Sequence, residues 1–294
     1  MQPEIARRVD ALVAERTPFV VATVVRAQRP TSVRPGDSGV VLGDGTIEGF
    51  VGGACAETSV RLQALRALET GEALLLRIVP EGDDTADAEG AMVVRNPCLS
   101  GGALEIFLEP RLPAPRISVL GNTPIAHALA GIGERAGYEI DLTTTTAEDS
   151  IALVVASHGR DEEEALTEAL AAAVPYVGLV ASPKRGAAVI DELRERGVSE
   201  HHLKRLRTPA GLDIGAANAH EIAISILAEI VATRHEHVTS PAPLSAVDPV
   251  CGMTVAISSE TISFEHEGRS VYFCCDGCRN SFQDDPARYA AALG

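Results

Sequence analysis

Residues 116–142, RISVLGNTPIAHALAGIGERAGYEIDL, decide the fold class. An apolar β-branched run comes first, then a glycine turn, an amphipathic stretch and a second short apolar run. That is the order strand, turn, helix, strand, and it opens a Rossmann-like unit with a parallel sheet. Working outward, IALVVASHG reads as a third strand, EEEALTEALAAA as a helix and YVGLVASPK as a fourth strand. KRGAAVIDELRERG is a further helix, and HEIAISILAEIVATRH is a long one that ends near His237. Residues 116–237 are therefore expected to form a Rossmann-like domain.

Upstream, PRLPAP at 110–115 breaks periodicity and reads as a linker. Before it, residues 1–110 mix a leading helix (MQPEIARRVDALVAERTPF), a buried strand (PFVVATVVRA) and a Pro/Gly/Arg loop (QRPTSVRPGDSG). GVVLGDGTIEGFVGG carries the Asp-Gly signal of a hairpin. CAETSVRLQALRALETG is a helix ending at Gly71, and ALLLRIVP and GALEIFLEP are strands. This block is α+β. Downstream, TSPAPLSA at 239–246 is a second linker, and a small module occupies 247–294. The expected fold is α/β overall, in three parts.

Aromatic residues make up 3% of the chain and Trp is absent, so Ala, Val, Ile and Leu must do the packing. The net charge of −16 repels phosphate backbones and anionic surfaces, which argues against nucleic acid as a general partner. No run approaches the roughly 20 apolar residues of a membrane span. The start lacks a signal peptide's apolar core, and the cytoplasm is the expected location. Six cysteines in a reducing compartment point to ligands or reactive thiols.

Four of those six lie at or beyond Cys251. Cys251 stands at a tight Asp-Pro/Cys-Gly turn, and Cys274 and Cys278 are four apart in YFCCDGC, on one face if a helix begins there. Three such thiolates can converge on a soft or borderline metal. The fourth ligand is open between Cys275, His266 and an exogenous group. The contrary expectation is that these cysteines are small buried hydrophobes. DPVCGMTV and VYFCCDGCRNSFQDDPARY resemble a YHS domain, a treble-clef-like relative of the TRASH metal sensors. The resemblance implies a transition metal, copper or zinc.

In the first block, GFVGGACAE sets Cys55 behind Gly52 and Gly53 at a strand-to-helix turn, where a helix N-terminus favours anions and thiolates. NPCLSGGALEIFLEP sets Cys98 before Gly101 and Gly102, and Arg34 is a candidate to reach the same anion. Alone, a Gly-rich turn with a cysteine is more often structural than functional. Together with YVGLVASPKRGAAVIDELRERG and RTPAGLDIGAANAHEIAISILAEIVA they resemble the XdhC/CoxI family, over about residues 17–234. Members are accessory factors for xanthine dehydrogenase, carbon monoxide dehydrogenase and related molybdenum hydroxylases.

The resemblance implies a maturation chaperone that binds molybdenum cofactor and assists its sulfuration or insertion, rather than an enzyme with its own turnover. The implied partners are an apo molybdenum hydroxylase and a cysteine desulfurase, with a homodimer as a further expectation. Gly121, His158 at the end of the third strand, and Asp213 in GLDIGA join the candidate cofactor-binding residues. Lys184 and Arg185 are weighed between a phosphate contact and a solvated pair. His220 and Glu221 open the last helix, where Glu221 suits the helix dipole. Two departures matter. Thr123 replaces the second glycine of the dinucleotide fingerprint, and only TTTTAEDS separates the second strand from the third, where the family carries a longer segment. NAD-dependent chemistry is therefore not expected, although Asp141 has the place of a ribose-binding acid. The alternative reading is a metal-responsive regulatory or nucleotide-binding protein with no molybdenum cofactor role.

Overall fold

The computed structural model describes residues 1–80, 90–96, 102–142, 146–147, 149–157, 162–236 and 243–292. It comprises two compact units, one of Met1–Pro113 with Pro241–Gly294 and one of Ala114–Ser240.

In the first unit, α1 (Pro3–Ala14) starts on a proline, whose missing N–H costs nothing in a first turn. It buries Ile5 and Leu12 against Phe19, Val21 and Val40. β1 (Phe19–Gln28) alternates, so Val20, Ala22 and Val24 face the opposite core. β2 (Ser38–Leu42) and β3 (Ile47–Gly49) form the expected hairpin. Its turn is closed by Thr46 N–H donating to Asp44 at 2.8 Å, with Gly45 at φ +88°. That backbone hydrogen bond holds the Asp44 carboxyl below the usual range.

α2 (Ala54–Thr70) ends as expected on Gly71, at φ +71° with its N–H on the Ala67 carbonyl. β4 (Leu74–Pro80), β5 (Ala91–Asn96) and β6 (Ala103–Arg111) complete a six-stranded sheet of order β3-β2-β1-β6-β4-β5. β5 is absent from the sequence reading. It is an edge strand running parallel to β4, and its half-exposed residues lack the alternation that marks a strand.

The second unit runs β7 (Arg116–Leu120), α3 (Pro124–Arg135), β8 (Glu139–Leu142), β9 (Ser150–Val155), α4 (Glu162–Ala171) and β10 (Tyr176–Leu179). α5 (Pro183–Glu195), α6 (Glu200–Leu203), β11 (Leu206–Arg207) and α7 (Ala219–Glu236) follow. The five strands pair in parallel in the order β11-β10-β9-β7-β8. One face buries Ile117, Val119 and Val154 under α3 and α7. The other buries Leu153 and Val155 under α4 and α5. Apolar side chains on both faces are what a doubly covered parallel sheet demands. Residues 143–149 alone join β8 to β9, too short for a helical crossover. The Rossmann-like sheet with a shortened crossover is thus present.

The chain then returns to the first unit with two hairpins, β12 (Ser245–Val247) with β13 (Thr254–Ala256) and β14 (Ile262–His266) with β15 (Arg269–Phe273). α8 (Asp276–Asp284) and a 3₁₀ segment (Pro286–Ala292) close it. Phe282 is fully buried among Phe264, Phe273 and Tyr289, and the His266 ring meets it edge-on at 5.3 Å.

Candidate functional site

The site is built on the first turn of α2. Gly52 has φ +149°, and a Cβ there would meet the Ala56 Cβ at 2.7 Å. Gly53 is the N-cap, no side chain caps the helix, and open space surrounds its Cα. Backbone N–H groups at such a start carry the positive end of the helix dipole. Cys55, half-buried, stands one residue into the helix.

A cavity of about 350 Å³ opens at this turn. Its described lining includes Gly53, Cys55, Thr31, Ser32, Asn96 and Gly102, and contains no acidic residue. Gly102 is required where it stands, because a Cβ would come within 2.0 Å of the Pro30 carbonyl oxygen. The volume falls in the range of small-molecule sites. Uncharged polar groups, an uncapped helix start and a thiol suit an anionic, sulfur-bearing ligand.

The terminal module meets α2 at the same place. The Thr58 hydroxyl shares its one proton between the Cys274 carbonyl at 2.9 Å and the Ala54 carbonyl at 3.1 Å. The sulfurs of Cys251 and Cys274 are 3.5 Å apart, and those of Cys274 and Cys278 are 3.6 Å apart. Tetrahedral thiolates at a metal–sulfur distance of about 2.3 Å sit ~3.8 Å from each other, so the spacing fits a metal. The Asp248 carboxylate converges with these three sulfurs. Asp248 is fully buried and accepts from the N–H groups of Val250 and Cys274 at 2.9 and 2.8 Å, which fixes the turn.

Sequence reasoning left the fourth ligand open without naming Asp248, although it sits in the Asp-Pro/Cys-Gly turn already singled out. Cys275 belongs to a second group, with Cys55 and Cys274, whose sulfurs all lie within 4.8 Å of one another. His266 is in neither group and packs on Phe282. The hydrogen bond between Cys251 and Cys274 is the main influence holding the Cys251 thiol below its usual range. Cys274 is pushed up by its bonds with Cys251 and Cys55, and Cys278 by burial. A cation bound among these sulfurs would draw the thiols into their anionic form.

The other expected residues fall elsewhere. Arg34 is exposed in a turn, its N–H on Asp37, and is not among the residues lining the cavity. Cys98, Gly101 and His158 lie outside the described residues. Gly121 and Asp213 belong to the second unit. Gly121 has φ +125°, and its Cβ would come 2.2 Å from the Ala156 carbonyl oxygen, so the glycine serves the meeting of β7 and β9. Thr123 caps α3 by accepting from Ala126 N–H at 3.3 Å. The side chain that broke the fingerprint thus occupies a helix start that a phosphate would use. Asp213 is exposed.

Arg185 is no solvated cation, because it pairs with the fully buried Glu162, which also accepts from Ser157. Glu221 accepts from Ala217 N–H, which holds its carboxyl below the usual range. The GLDIGA and EIAISILAEI segments are tied together by Glu229, which accepts from Gly211 N–H at 2.8 Å and from the Tyr176 hydroxyl at 2.7 Å.

Comparison with known proteins finds matches along most of the chain. The model of the XdhC and CoxI family matches residues 12–79, and that of the XdhC Rossmann domain matches 117–230. The chain belongs to the XdhC and CoxI family. It also carries a YHS domain, matched over 246–292. Among curated relatives in Escherichia coli (strain K12), it is 28% identical over 250 residues to the uncharacterized protein YqeB. That match covers 75% of this chain and 44% of YqeB, so the chain spans less than half the length of that relative. It is 26% identical over 278 residues to the molybdenum cofactor insertion chaperone PaoD, covering 77% of this chain and 87% of PaoD. A crystal structure titled as a xanthine dehydrogenase from Bacillus halodurans aligns at 16% identity, over 80% of this chain and 97% of that one, with a TM-score of 0.38. Among the described residues, no helix of this XdhC-family chain is long and apolar enough to cross a membrane.

Proposed function

We propose that this protein is a maturation chaperone that holds molybdenum cofactor in the cavity at the start of α2 and passes it to an apo molybdenum hydroxylase. The observation that carries this reading is the cavity itself: about 350 Å³, no acidic residue in its described lining, and Cys55 on its wall. The cofactor is a pterin with a phosphate tail, and when bound it supplies the oxygen- and sulfur-transfer chemistry of its metal to the client enzyme. The chain's own part is to bind, orient and shield. N–H groups at the α2 start meet the anionic tail, Gly53 leaves room for close approach, and Cys55 offers sulfur toward the metal end. The family membership and the likeness to PaoD support the reading.

The finer assignments belong to the same proposal. The client is a hydroxylase of the carbon monoxide or xanthine dehydrogenase type, and the cargo is sulfurated or protected before insertion, with a cysteine desulfurase as sulfur donor. The terminal module holds copper or zinc on Cys251, Cys274 and Cys278, with Asp248 as the fourth donor. The protein works in the cytoplasm. Protein purified from cells that make the cofactor is expected to release a fluorescent oxidised pterin, and Cys55→Ala to carry at least tenfold less. Loaded wild-type protein with no pterin fluorescence after oxidation would sink the proposal.

A further inference from the structure

Five of the chain's six cysteines come together at one place. They arrive from three segments: Cys55 from the first turn of α2, Cys251 from the turn after β12, and Cys274, Cys275 and Cys278 from the junction of β15 and α8. Their sulfurs fall into two groups that overlap at Cys274. The first is Cys251, Cys274 and Cys278 with Asp248, and the second is Cys55, Cys274 and Cys275.

We propose that the second group is a metal site in its own right, a three-thiolate site for Cu(I) that shares Cys274 with the first. The folded chain then holds two Cu(I) ions bridged by the Cys274 sulfur. This inference does not depend on the cofactor reading.

The chemistry of the donors selects the ion. A site made of sulfur alone, with no nitrogen or oxygen donor among the described residues, suits a soft monovalent ion over a hard divalent one. A thiolate sulfur has lone pairs for two metal bonds, and Cys274 is placed within reach of both groups. Cys274 is only 4% exposed, whereas Cys55, Cys251, Cys275 and Cys278 are half-buried. A buried bridge with more open outer ligands lets ions enter and leave without dismantling the centre.

Five thiolates and a carboxylate carry more negative charge than two Cu(I) ions neutralise. Two helix N-termini offset part of the excess, each carrying roughly half a positive charge. Cys55 lies in the first turn of α2, and Cys275 is the N-cap of α8, with no side chain capping either helix. Thr58, one turn along α2 from Cys55, holds the Cys274 carbonyl and fixes the two groups against each other.

The site also has a consequence. Cys55 lines the cavity, so an ion on Cys55 stands at its wall. An occupied second site would make Cys55 unavailable to anything else bound there.

The test is an anaerobic titration of the reduced full chain with Cu(I) against a chromophoric Cu(I) chelator. Wild type is expected to bind two ions, and Cys55→Ser and Cys275→Ser one each. Cys251→Ser is expected to lose the first ion and keep the second. Two variants from different segments guard against one that fails to fold, and each is checked by its circular dichroism spectrum. The inference is overturned if wild type binds one ion or none, or if both Cys55→Ser and Cys275→Ser still bind two. A single ion lost in Cys251→Ser and kept in Cys55→Ser would leave the metal reading of the terminal module standing while removing the shared site.

Discussion

At positions 53 and 121 two glycines of similar appearance in the sequence do different work. Gly121 has a positive φ, and any Cβ would run into the Ala156 carbonyl. Gly121→Ala is expected to cost about 2–4 kcal/mol in urea-induced unfolding. Gly53 has φ −77° and open space around it, so Gly53→Ala is expected to cost about 1 kcal/mol or less, the usual penalty for alanine at an N-cap. The same substitution is expected to weaken pterin retention several-fold, because Gly53 lines the cavity. The sequence marks both as glycines in turns. It does not say which is crowded by a neighbouring strand and which faces a ligand, since that depends on chain brought in from elsewhere.

Among the elements, those defined by local signals were legible. α2 stops at Gly71 because a left-handed residue was needed there, and the β2–β3 hairpin turns on Asp44 and Gly45. β5 was not legible, because an edge strand paired in parallel owes its existence to β4 and carries no alternation of its own. The KRG segment at the start of α5 shows the same limit for charges. Lys184 and Arg185 look alike in sequence, yet only Arg185 is needed, against a carboxylate on α4 that is fully buried. Arg185→Ala would take the guanidinium away from a fully buried carboxylate, and a loss of about 2–4 kcal/mol is expected by urea denaturation, lower than for a fully buried pair because the Arg185 side chain is 33% exposed. Glu162→Gln with Arg185→Met should recover much of that loss.

At the scale of the whole molecule, the cysteines are the part that sequence reasoning named but could not assemble. The spacing of Cys251, Cys274 and Cys278 was readable because the turn and the α8 start are local. Cys55 was singled out for its own helix start, 219 positions before Cys274, and nothing local joins them. The Thr58 bond that draws them together spans 216 residues. Asp248 was passed over because a buried aspartate in a tight turn looks like a turn residue until its neighbours are in place. A module with a core this small gains from a metal staple. Chelation is therefore expected to lower the melting temperature of the first unit in calorimetry while leaving that of the second unchanged. A metal held at a free concentration 100-fold above its Kd contributes about 2.7 kcal/mol to the unit that binds it.

In the function proposed above, the first unit carries molybdenum cofactor. Native mass spectrometry of the intact chain, purified from cells that make the cofactor, tests it most directly. A species heavier by one molybdopterin-type cofactor than the chain whose Cys55 site holds no copper is expected, and it is expected to be absent from Cys55→Ala. Wild-type protein that carries metal ions and no organic adduct would contradict it.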